Sequence, residues 1–370
     1  MGQLHGARAF LDASGGAPPS ARAREAYFAA IEDGWADPRR LHSESRQAAD
    51  IAAGAAEAIA EVIGVSTSSV HLLPNPEMCF QRIIPGLHAA RRGRDRIVAS
   101  AVERAGVLGV SRHVSGDRVT VVPVDDLGRM DQAAFAQALA DDDASVAIVQ
   151  HANREIGTLQ DVDGAHAAAH AAGVPLLVDA TASIGHLPAP AEWDALVAHP
   201  ADWGGPQSLG VLAVKPRTRW LATWPGAGFA AGPASVPAAL SAAVALQERV
   251  QHQEDVARTM RGLVDRVRER AGALDGVRAV GDPDRRVPHL VTLVVDGVDG
   301  EVVASELDRR GFAVGTGSAC ASGDAGASHV LDALGVTGGN VRLGLHPGVD
   351  EAQVDGFVAA LGEVLAAVRR

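Results

Sequence analysis

The strongest chemical signal in this sequence is Cys320, which lies in a loop of small residues at 316–323 directly after a predicted strand. A thiol in such a loop can act as a nucleophile. A buried structural cysteine is the competing interpretation, because free cysteine packs as a small apolar residue. The second cysteine, Cys79, lies in a predicted helix among apolar neighbours and is interpreted as a core residue.

Histidines are the next candidates, and His151 and His199 could serve as general bases. Each also has a plain structural or surface interpretation. The histidines and cysteines show no zinc-ligand spacing, so the sequence predicts no metal site. The three consecutive carboxylates at 141–143 point in diverging directions and are interpreted as a solvated helix end.

Short β-branched segments alternate with Ala-rich helical patterns through the first two thirds of the chain. This alternation is typical of βαβ units, so it predicts an α/β fold with a mostly parallel sheet covered by helices. The predicted strands are 96–99, 119–123, 145–150 and 175–178, and the predicted helices are 21–31, 47–63, 131–140 and 164–172.

The pattern changes after Pro237, where the segments favour a small α+β domain joined by a long helix. These segments are a helix at 238–274, a strand at 287–295, a helix at 300–310, a strand at 312–315 and a closing helix at 350–369. We expect a large α/β domain at 16–245 and a small domain built from 1–15 and 246–370, which carries the cysteine loop. The Gly- and Pro-rich segment 224–238 is predicted to be a mobile loop.

Composition limits the partners that this chain can bind. A net charge of −12 argues against unspecific binding of nucleic acid or anionic membranes, because both require clustered basic residues. No apolar run is long enough to span a membrane, and residues 1–14 lack the pattern of a signal peptide, so we expect a cytoplasmic protein. The hydrophobic content of 47% over 370 residues is sufficient for a large core.

Several motifs, in unbroken order over residues 8–365, resemble those of the cysteine desulfurases of aminotransferase class V, which depend on pyridoxal phosphate (PLP). The resemblance implies the fold type I architecture of PLP-dependent transferases, with a large domain and a small one. It also implies a dimer, formed by two copies or with a desulfurase-like subunit, and a sulfur-acceptor protein. The motifs are at 10–13, 37–46, 151–158, 177–185, 298–314, 316–323, 328–335 and 341–345.

The resemblance assigns roles to individual residues. Cys320 lies at the persulfide-forming cysteine, in a loop whose small neighbours let the sulfur swing between substrate and acceptor. Arg342 lies at the arginine that clamps the substrate carboxylate by a bidentate hydrogen bond. His151 and Asn153 belong to the substrate-side motif at 151–158. Asp179 lies at the aspartate that pairs with the pyridine nitrogen of PLP.

The sequence departs from the family at the cofactor itself. The alignment puts Asp202 at the lysine that forms the Schiff base with PLP and Ala201 at the preceding histidine, and a carboxylate cannot form an aldimine. Lys215 is the only lysine in the sequence and lies beyond the following strand. Arg104 stands at the histidine that stacks on the pyridine ring, and Arg154 replaces the second asparagine of the motif at 151–158.

The motifs that would bind the phosphate of PLP also differ from those of the family. The turn that holds the PLP phosphate reads Pro-Asn-Pro-Glu at 74–77, where two prolines remove amide donors and Glu77 repels phosphate. Ala182 replaces a glutamine, and the loop that contacts phosphate across the dimer is shortened at 231–235. We therefore predict no covalently bound cofactor and a vestigial role for Asp179. Glu77, Arg104, Arg154 and Asp202 either pair with one another in a vacated cavity or form a new ligand site.

Three functions follow as hypotheses. The first is a desulfurase-like protein without covalent PLP, which uses Cys320 to handle sulfur or acts as a regulatory partner of an active desulfurase. The second is an enzyme with PLP-independent chemistry in the same cleft, with Cys320 as nucleophile and Arg342 holding a carboxylate. The third is a PLP-dependent desulfurase that binds PLP non-covalently or is active only in a complex.

Overall fold

A computed structural model describes residues 8–223, 234–317 and 328–369. The helices are α1 (Ala21–Asp33), α2 (Ser43–Ile63), α3 (Pro76–Ala89), α4 (Ala105–Ser115), α5 (Gln132–Leu139), α6 (Val162–Ala171), α7 (Val236–Gln251), α8 (Gln253–Gly272), α9 (Gly300–Arg309), α10 (His329–Ala333) and α11 (Glu351–Val368). The strands are β1 (Ala9–Phe10), β2 (Val70–Leu73), β3 (Arg96–Ser100), β4 (Val119–Val122), β5 (Ala144–Gln150), β6 (Leu176–Asp179), β7 (Ala195–Ala198), β8 (Gly210–Val214), β9 (Val277–Val280), β10 (Leu290–Val295), β11 (Phe312–Ala313) and β12 (Gly339–Gly344).

The largest sheet has seven strands in the order β2-β8-β7-β6-β5-β3-β4. The pairs β7-β6, β6-β5, β5-β3 and β3-β4 are parallel, whereas β8 runs antiparallel to both of its neighbours. Every residue of β5, β6 and β7 is buried, as expected for a parallel sheet covered by helices on both faces. The predicted α/β fold with a mainly parallel sheet is confirmed.

The carboxyl ends of β3, β5 and β6 lie at one edge of this sheet, because the three strands are parallel neighbours. The segments that leave this edge begin at Ala101, His151 and Ala180. Ligand sites of open parallel sheets form where such segments meet. This edge therefore positions the residues that the sequence analysis selected.

A second core lies between the three-stranded antiparallel sheet β12-β10-β9 and helices α8, α9 and α11. Leu11 from the N-terminal segment packs into this core, and β1 pairs with β11 in a parallel two-stranded sheet. Residues 9–11 thus pack with the C-terminal third of the chain.

Three predicted segments differ from the structure. The single helix predicted at 238–274 is two helices that meet at His252, because Leu246 of α7 packs in the core of the large sheet while Val264 of α8 packs in the second core. The strand predicted from 287 begins at Leu290. Pro288 precedes it without an N–H for the ladder, and Val287 instead donates to the carbonyl of Gly157.

The loop predicted at 224–238 is helical from Val236, and 224–233 lie outside the described residues. The boundary predicted between 245 and 246 falls within α7. Among the described residues, no helix combines the length and apolar character needed to cross a bilayer.

Candidate active site

Arg104 connects three elements at the carboxyl edge of the large sheet. It directly precedes α4, and its guanidinium donates to Glu77 Oε1 in the first turn of α3 over 2.5 Å. It also donates to Thr181 Oγ1 over 3.1 Å, and its Nε lies 4.0 Å from Asp179 Oδ2 at the end of β6. A positive charge therefore fills the space beside the aspartate.

Arg154 forms a second ion pair deeper in the same cleft. Its guanidinium donates to the carbonyls of Thr181, over 2.8 Å, and Ser14, over 2.5 Å. Its Nη2 lies 3.5 Å from Asp202 Oδ1. Burial lowers the pKa of Arg154, and the negative charge of Asp202 partly opposes that shift.

Asp202 lies in a short 3₁₀ helix, Pro200–Trp203, and only 2% of the residue is exposed. Burial raises its pKa to about 6, against the attraction of Arg154, Arg249 and Arg104. The ring N–H of His186 donates to the backbone carbonyl of Asp202 over 3.0 Å. Oδ2 of Asp202 is buried and accepts no hydrogen bond from the described residues.

His186 stacks on His289, with ring centroids 3.5 Å apart and planes 9° from parallel. The ligand atoms of His186, His289 and Asp202 lie within 4.8 Å of one another, an arrangement that sequence spacing did not predict. The lone pairs of stacked rings lie in parallel planes, so one ring would have to turn before both could bind a single ion. Burial lowers the pKa values of both histidines, and the charges of Arg249 and Arg154 lower them further. The same positive charges oppose a bound cation.

Arg342 of β12 is connected to the same cleft by its contact with Ser14. Its Nε donates to Ser14 Oγ over 3.1 Å, and that hydroxyl donates to Asp12 Oδ1 over 3.1 Å. Ser14 thus contacts both Arg342 and Arg154. Nη1 of Arg342 is buried and finds no acceptor in the described part of the chain. The structure therefore brings Arg104, Arg154, Arg342 and Asp202 into one cleft.

Asp179 and Glu103 are buried neighbours at the edge of the large sheet. Asp179 Oδ1 accepts the backbone N–H of Thr181 over 2.9 Å, which ties the end of β6 to the segment that follows. Glu103 is fully buried, and its Oε1 accepts the N–H of Gln150 over 2.8 Å. Burial and the charge of Asp179 raise the pKa of Glu103 to about 8, so this carboxyl group is largely protonated at neutral pH.

The predicted substrate-side residues have structural partners. His151 Nδ1 lies 2.9 Å from Ser183 Oγ, and burial lowers its pKa to about 4. Asn153 accepts two backbone N–H groups of its own turn and donates to the carbonyl of Val102 over 3.1 Å. Burial and the charges of Arg154 and Arg104 lower the pKa of His199 to about 3. Roles in substrate binding or as a base stay predictions for these residues.

The only lysine lies at the far end of β8. Lys215 Nζ donates to the carbonyl of Ala191 over 3.2 Å, lies 3.9 Å from Glu192 Oε2, and is 4.8 Å from the ring centroid of Trp193.

The structure describes one of the two cysteines, Cys79, and not the other, Cys320. Cys79 is buried in α3, as predicted, and burial raises the pKa of its thiol. Cys320 lies outside the described residues, as do most of the two predicted loops at 316–323 and 231–235. Gly317 still marks the entry to the cysteine loop, where its N–H donates to Asn340 Oδ1 over 2.6 Å.

At the N-terminus of α3, Asn75 satisfies two of the backbone N–H groups. Asn75 Oδ1 accepts the N–H of Met78 over 2.7 Å, and its backbone carbonyl accepts the N–H of Cys79. Pro76 has no N–H to offer. Gly210 of β8 packs directly against this turn, where a Cβ would come within 2.5 Å of the Asn75 carbonyl.

Sequence reasoning did not select six residues that complete this cleft. Ser14 and His186 directly follow the motifs at 10–13 and 177–185, and Thr181 lies inside the second of these motifs. Glu103 could have been found from its place between a predicted strand and Arg104. The six residues are Ser14, Glu103, Thr181, His186, Arg249 and His289.

Comparison with known proteins places this architecture in one class. The fold resembles solved structures of a NifS-like protein, with a TM-score of 0.89 at 23% identity over 97% of this chain and 100% of that chain. It also resembles the apo cysteine desulfurase of Thermococcus onnurineus NA1, with a TM-score of 0.86 at 20% identity over 97% of this chain and 95% of that one. The fold is therefore that of the PLP-dependent cysteine desulfurases.

Sequence comparison gives the family. The profile of the aminotransferase class-V family matches residues 9–357. The cysteine desulfurase of Rhodobacter capsulatus is 34% identical over 295 residues, 76% of each chain. The IscS-like cysteine desulfurase of Mycobacterium tuberculosis is 30% identical over 383 residues, 98% of this chain and 97% of that protein. This chain belongs to the aminotransferase class-V family and is similar to the cysteine desulfurases.

Proposed function

We propose that this chain is a cysteine desulfurase-like protein that does not hold PLP as a Schiff base. It uses Cys320 to carry sulfur or regulates an active desulfurase. The observation that carries the proposal is the buried carboxyl group of Asp202, the residue that the motif alignment of the sequence analysis puts at the lysine of the family. Its neighbours are Arg154, 3.5 Å away, and the ring of His186, so the described residues next to Asp202 offer no primary amine.

The remaining lysine supports the same conclusion. Lys215 interacts with the Ala191 carbonyl, Glu192 and the Trp193 ring. The cleft is instead built around Arg154 and Asp202, and neither side chain has an amine that could condense with an aldehyde.

The residues at the phosphate end do not fit the cofactor either. A phosphate at a helix N-terminus is held by free backbone N–H groups. In the first turn of α3, Asn75 accepts the N–H of Met78, Pro76 lacks a donor, and the carboxylate of Glu77 repels a dianion. Arg104 pairs with Glu77 over 2.5 Å, so its charge is already balanced.

Sulfur handling at Cys320 requires no cofactor. The Cys320 thiolate attacks the terminal sulfur of a donor persulfide, the S–S bond of the donor breaks, and the donor cysteine leaves as a thiolate. The product is a persulfide on Cys320, and sulfur passes without net oxidation. Arg342, whose Nη1 has no acceptor in the described part of the chain, is available for a carboxylate in the same cleft.

The cofactor half of the proposal is tested by optical spectroscopy of the purified protein. After incubation with PLP and removal of the excess, we expect no absorbance band between about 320 and 430 nm, the range in which the coenzyme absorbs. Borohydride treatment followed by mass spectrometry should find no adduct. The Lys215→Arg variant, which has no lysine, is the control for adventitious reaction. An adduct that this variant abolishes would overturn the proposal, and a band without an adduct would indicate non-covalent PLP.

The sulfur half is tested with a persulfide-loaded desulfurase as donor. Mass spectrometry should find one added sulfur atom on the wild-type chain and none on Cys320→Ala. The Cys79→Ala variant is the matched control, because the Cys79 thiol is buried and its pKa is raised, so its removal should leave transfer unchanged. Equal loading of wild type and Cys320→Ala would contradict sulfur transfer through Cys320.

We also propose that a second copy of this chain covers an apolar surface near the N-terminus. Four large apolar side chains within 14 residues are exposed: Phe28 by 64%, Ile31 by 46%, Trp35 by 70% and Leu41 by 89%. Large exposed apolar side chains concentrated in one segment are typical of interaction sites. Aminotransferase class-V proteins are generally dimers, which supports a second copy as the occupant.

A further inference from the structure

A separate cavity of about 370 Å³ lies between the N-terminal segment, α7, α8 and the segment after β12. This volume is in the range of small-molecule pockets. Its walls are mainly apolar and include Pro18, Trp203, Ala245, Val256 and Pro347. The indole N–H of Trp203 donates to the Ala242 carbonyl over 3.0 Å, so this wall is fixed.

Arg249 lines this cavity from the last turn of α7 and is only 8% exposed. Within the described part of the chain its guanidinium forms no hydrogen bond and no ion pair, and its Nη1 is buried without an acceptor. The charges of Asp202 and Glu248 act on Arg249, but neither carboxylate is close enough to pair with it. A buried cation without a partner is costly, and a ligand in this cavity that supplies an acceptor would offset that cost.

The groups around Arg249 restrict the charge of that ligand. Glu248 also lines the cavity, accepts the hydroxyl of Ser20 over 2.5 Å, and would repel a dianion. His346 accepts the N–H of Gly348 on Nδ1, and burial together with Arg249 lowers its pKa, so it adds no charge at neutral pH. His252 lies at the exposed mouth. Arg249 and Glu248 are thus a cation and an anion that line an otherwise largely apolar cavity.

We propose that this cavity binds an organic monocarboxylate with an apolar body. The planar fork of Arg249 takes the carboxylate in a bidentate hydrogen bond, and the apolar body lies against Trp203, Val256 and Pro347. A phosphate or sulfate dianion is excluded by Glu248 and by the scarcity of further donors. The cavity does not include Arg342, so it is distinct from the carboxylate position in the main cleft.

Binding is tested by isothermal titration calorimetry of the full chain with benzoate, chosen as a monocarboxylate with a flat apolar body. We expect one saturable site, weakened at least about tenfold in Arg249→Met, which keeps the apolar stem and removes the charge. Benzamide, an uncharged isostere, and inorganic sulfate should bind at least about tenfold more weakly than benzoate. Arg258→Gln is the matched control, because Arg258 is an exposed arginine on α8 paired with Asp255.

A further variant keeps the test decisive if Arg249→Met does not fold. Val256→Trp fills the cavity and leaves Arg249 in place, so it should also abolish benzoate binding. Unchanged affinity in Arg249→Met or Val256→Trp, or equal binding of benzamide, would overturn the proposal.

Discussion

Arg154 Nη2 lies 3.5 Å from Asp202 Oδ1, in a cleft where only 2% of Asp202 is exposed. This pair joins the segment after β5 to the 3₁₀ helix before β8. Because burial raises the pKa of Asp202 despite the arginine, the pair does not fully compensate for the loss of hydration.

Asp202→Asn should therefore change how stability depends on pH. The folded pKa of about 6 lies above the ordinary value of 3.8, so wild-type stability is lost as pH rises through this interval. Relative to wild type, the variant should gain on the order of 3 kcal/mol between about pH 4 and pH 7. Urea unfolding across this range measures the difference. Asp142→Asn is the control, since its side chain is 98% exposed, and a difference that stays constant with pH would contradict the prediction.

Glu103→Gln tests the second buried carboxyl group. Its folded pKa of about 8 lies above the ordinary value of 4.5, so the contribution of Glu103 to stability falls as pH rises from 4.5 to about 8. The amide oxygen of glutamine can still accept the N–H of Gln150. Thermal unfolding at several pH values should show the variant gaining a few kcal/mol over wild type between these limits. Exposed Glu301→Gln should show no such trend; an equal trend in both variants would refute the assignment.

Gly210→Ala should destabilise the chain by about 1–3 kcal/mol, because the new Cβ overpacks a backbone contact. The added carbon would lie 2.5 Å from the Asn75 carbonyl and 2.7 Å from the nitrogen of Pro76, neither of which is the end of a flexible side chain. Gly109→Ala is the matched control. That glycine lies inside α4, and a Cβ added there would meet nothing within 4 Å, so alanine should stabilise the helix by about 0.5–1 kcal/mol. An equal change in the free energy of unfolding of both variants, measured in urea, would contradict the close contact between Gly210 and Asn75.

Trp35→Glu should dissociate the proposed dimer, because it introduces a charge into the exposed apolar surface. Light scattering after size-exclusion chromatography should give twice the chain mass of 38.0 kDa for wild type and the single-chain mass for the variant. Val302→Glu is the control, since Val302 is also exposed, by 44%, and lies on α9 away from this surface. A wild-type chain that elutes as a monomer would contradict the proposed dimer.

Much of the fold was predictable because the signals were local. The buried strands β5 and β6 are continuous apolar segments, and their predicted bounds differ from the observed ones by one residue. The break at His252 was not predictable, because the helical pattern runs through it. The turn becomes visible only when α7 packs on the core of the large sheet and α8 on the second core. Periodicity identifies a helix face but not the core that the face will meet.

The sequence by itself determined the chemistry that is present: one lysine, two thiols, and a carboxyl group at position 202 among the motifs of the class. Covalent structure fixes such facts before folding. Only the tertiary structure decided that Ser14 contacts both Arg154 and Arg342, that His186 stacks on His289, and that Arg249 is buried beside a cavity without a partner among the described residues. These residues are far apart in sequence, and burial, charge balance and hydrogen bonding depend on distances that exist only after the two cores have packed.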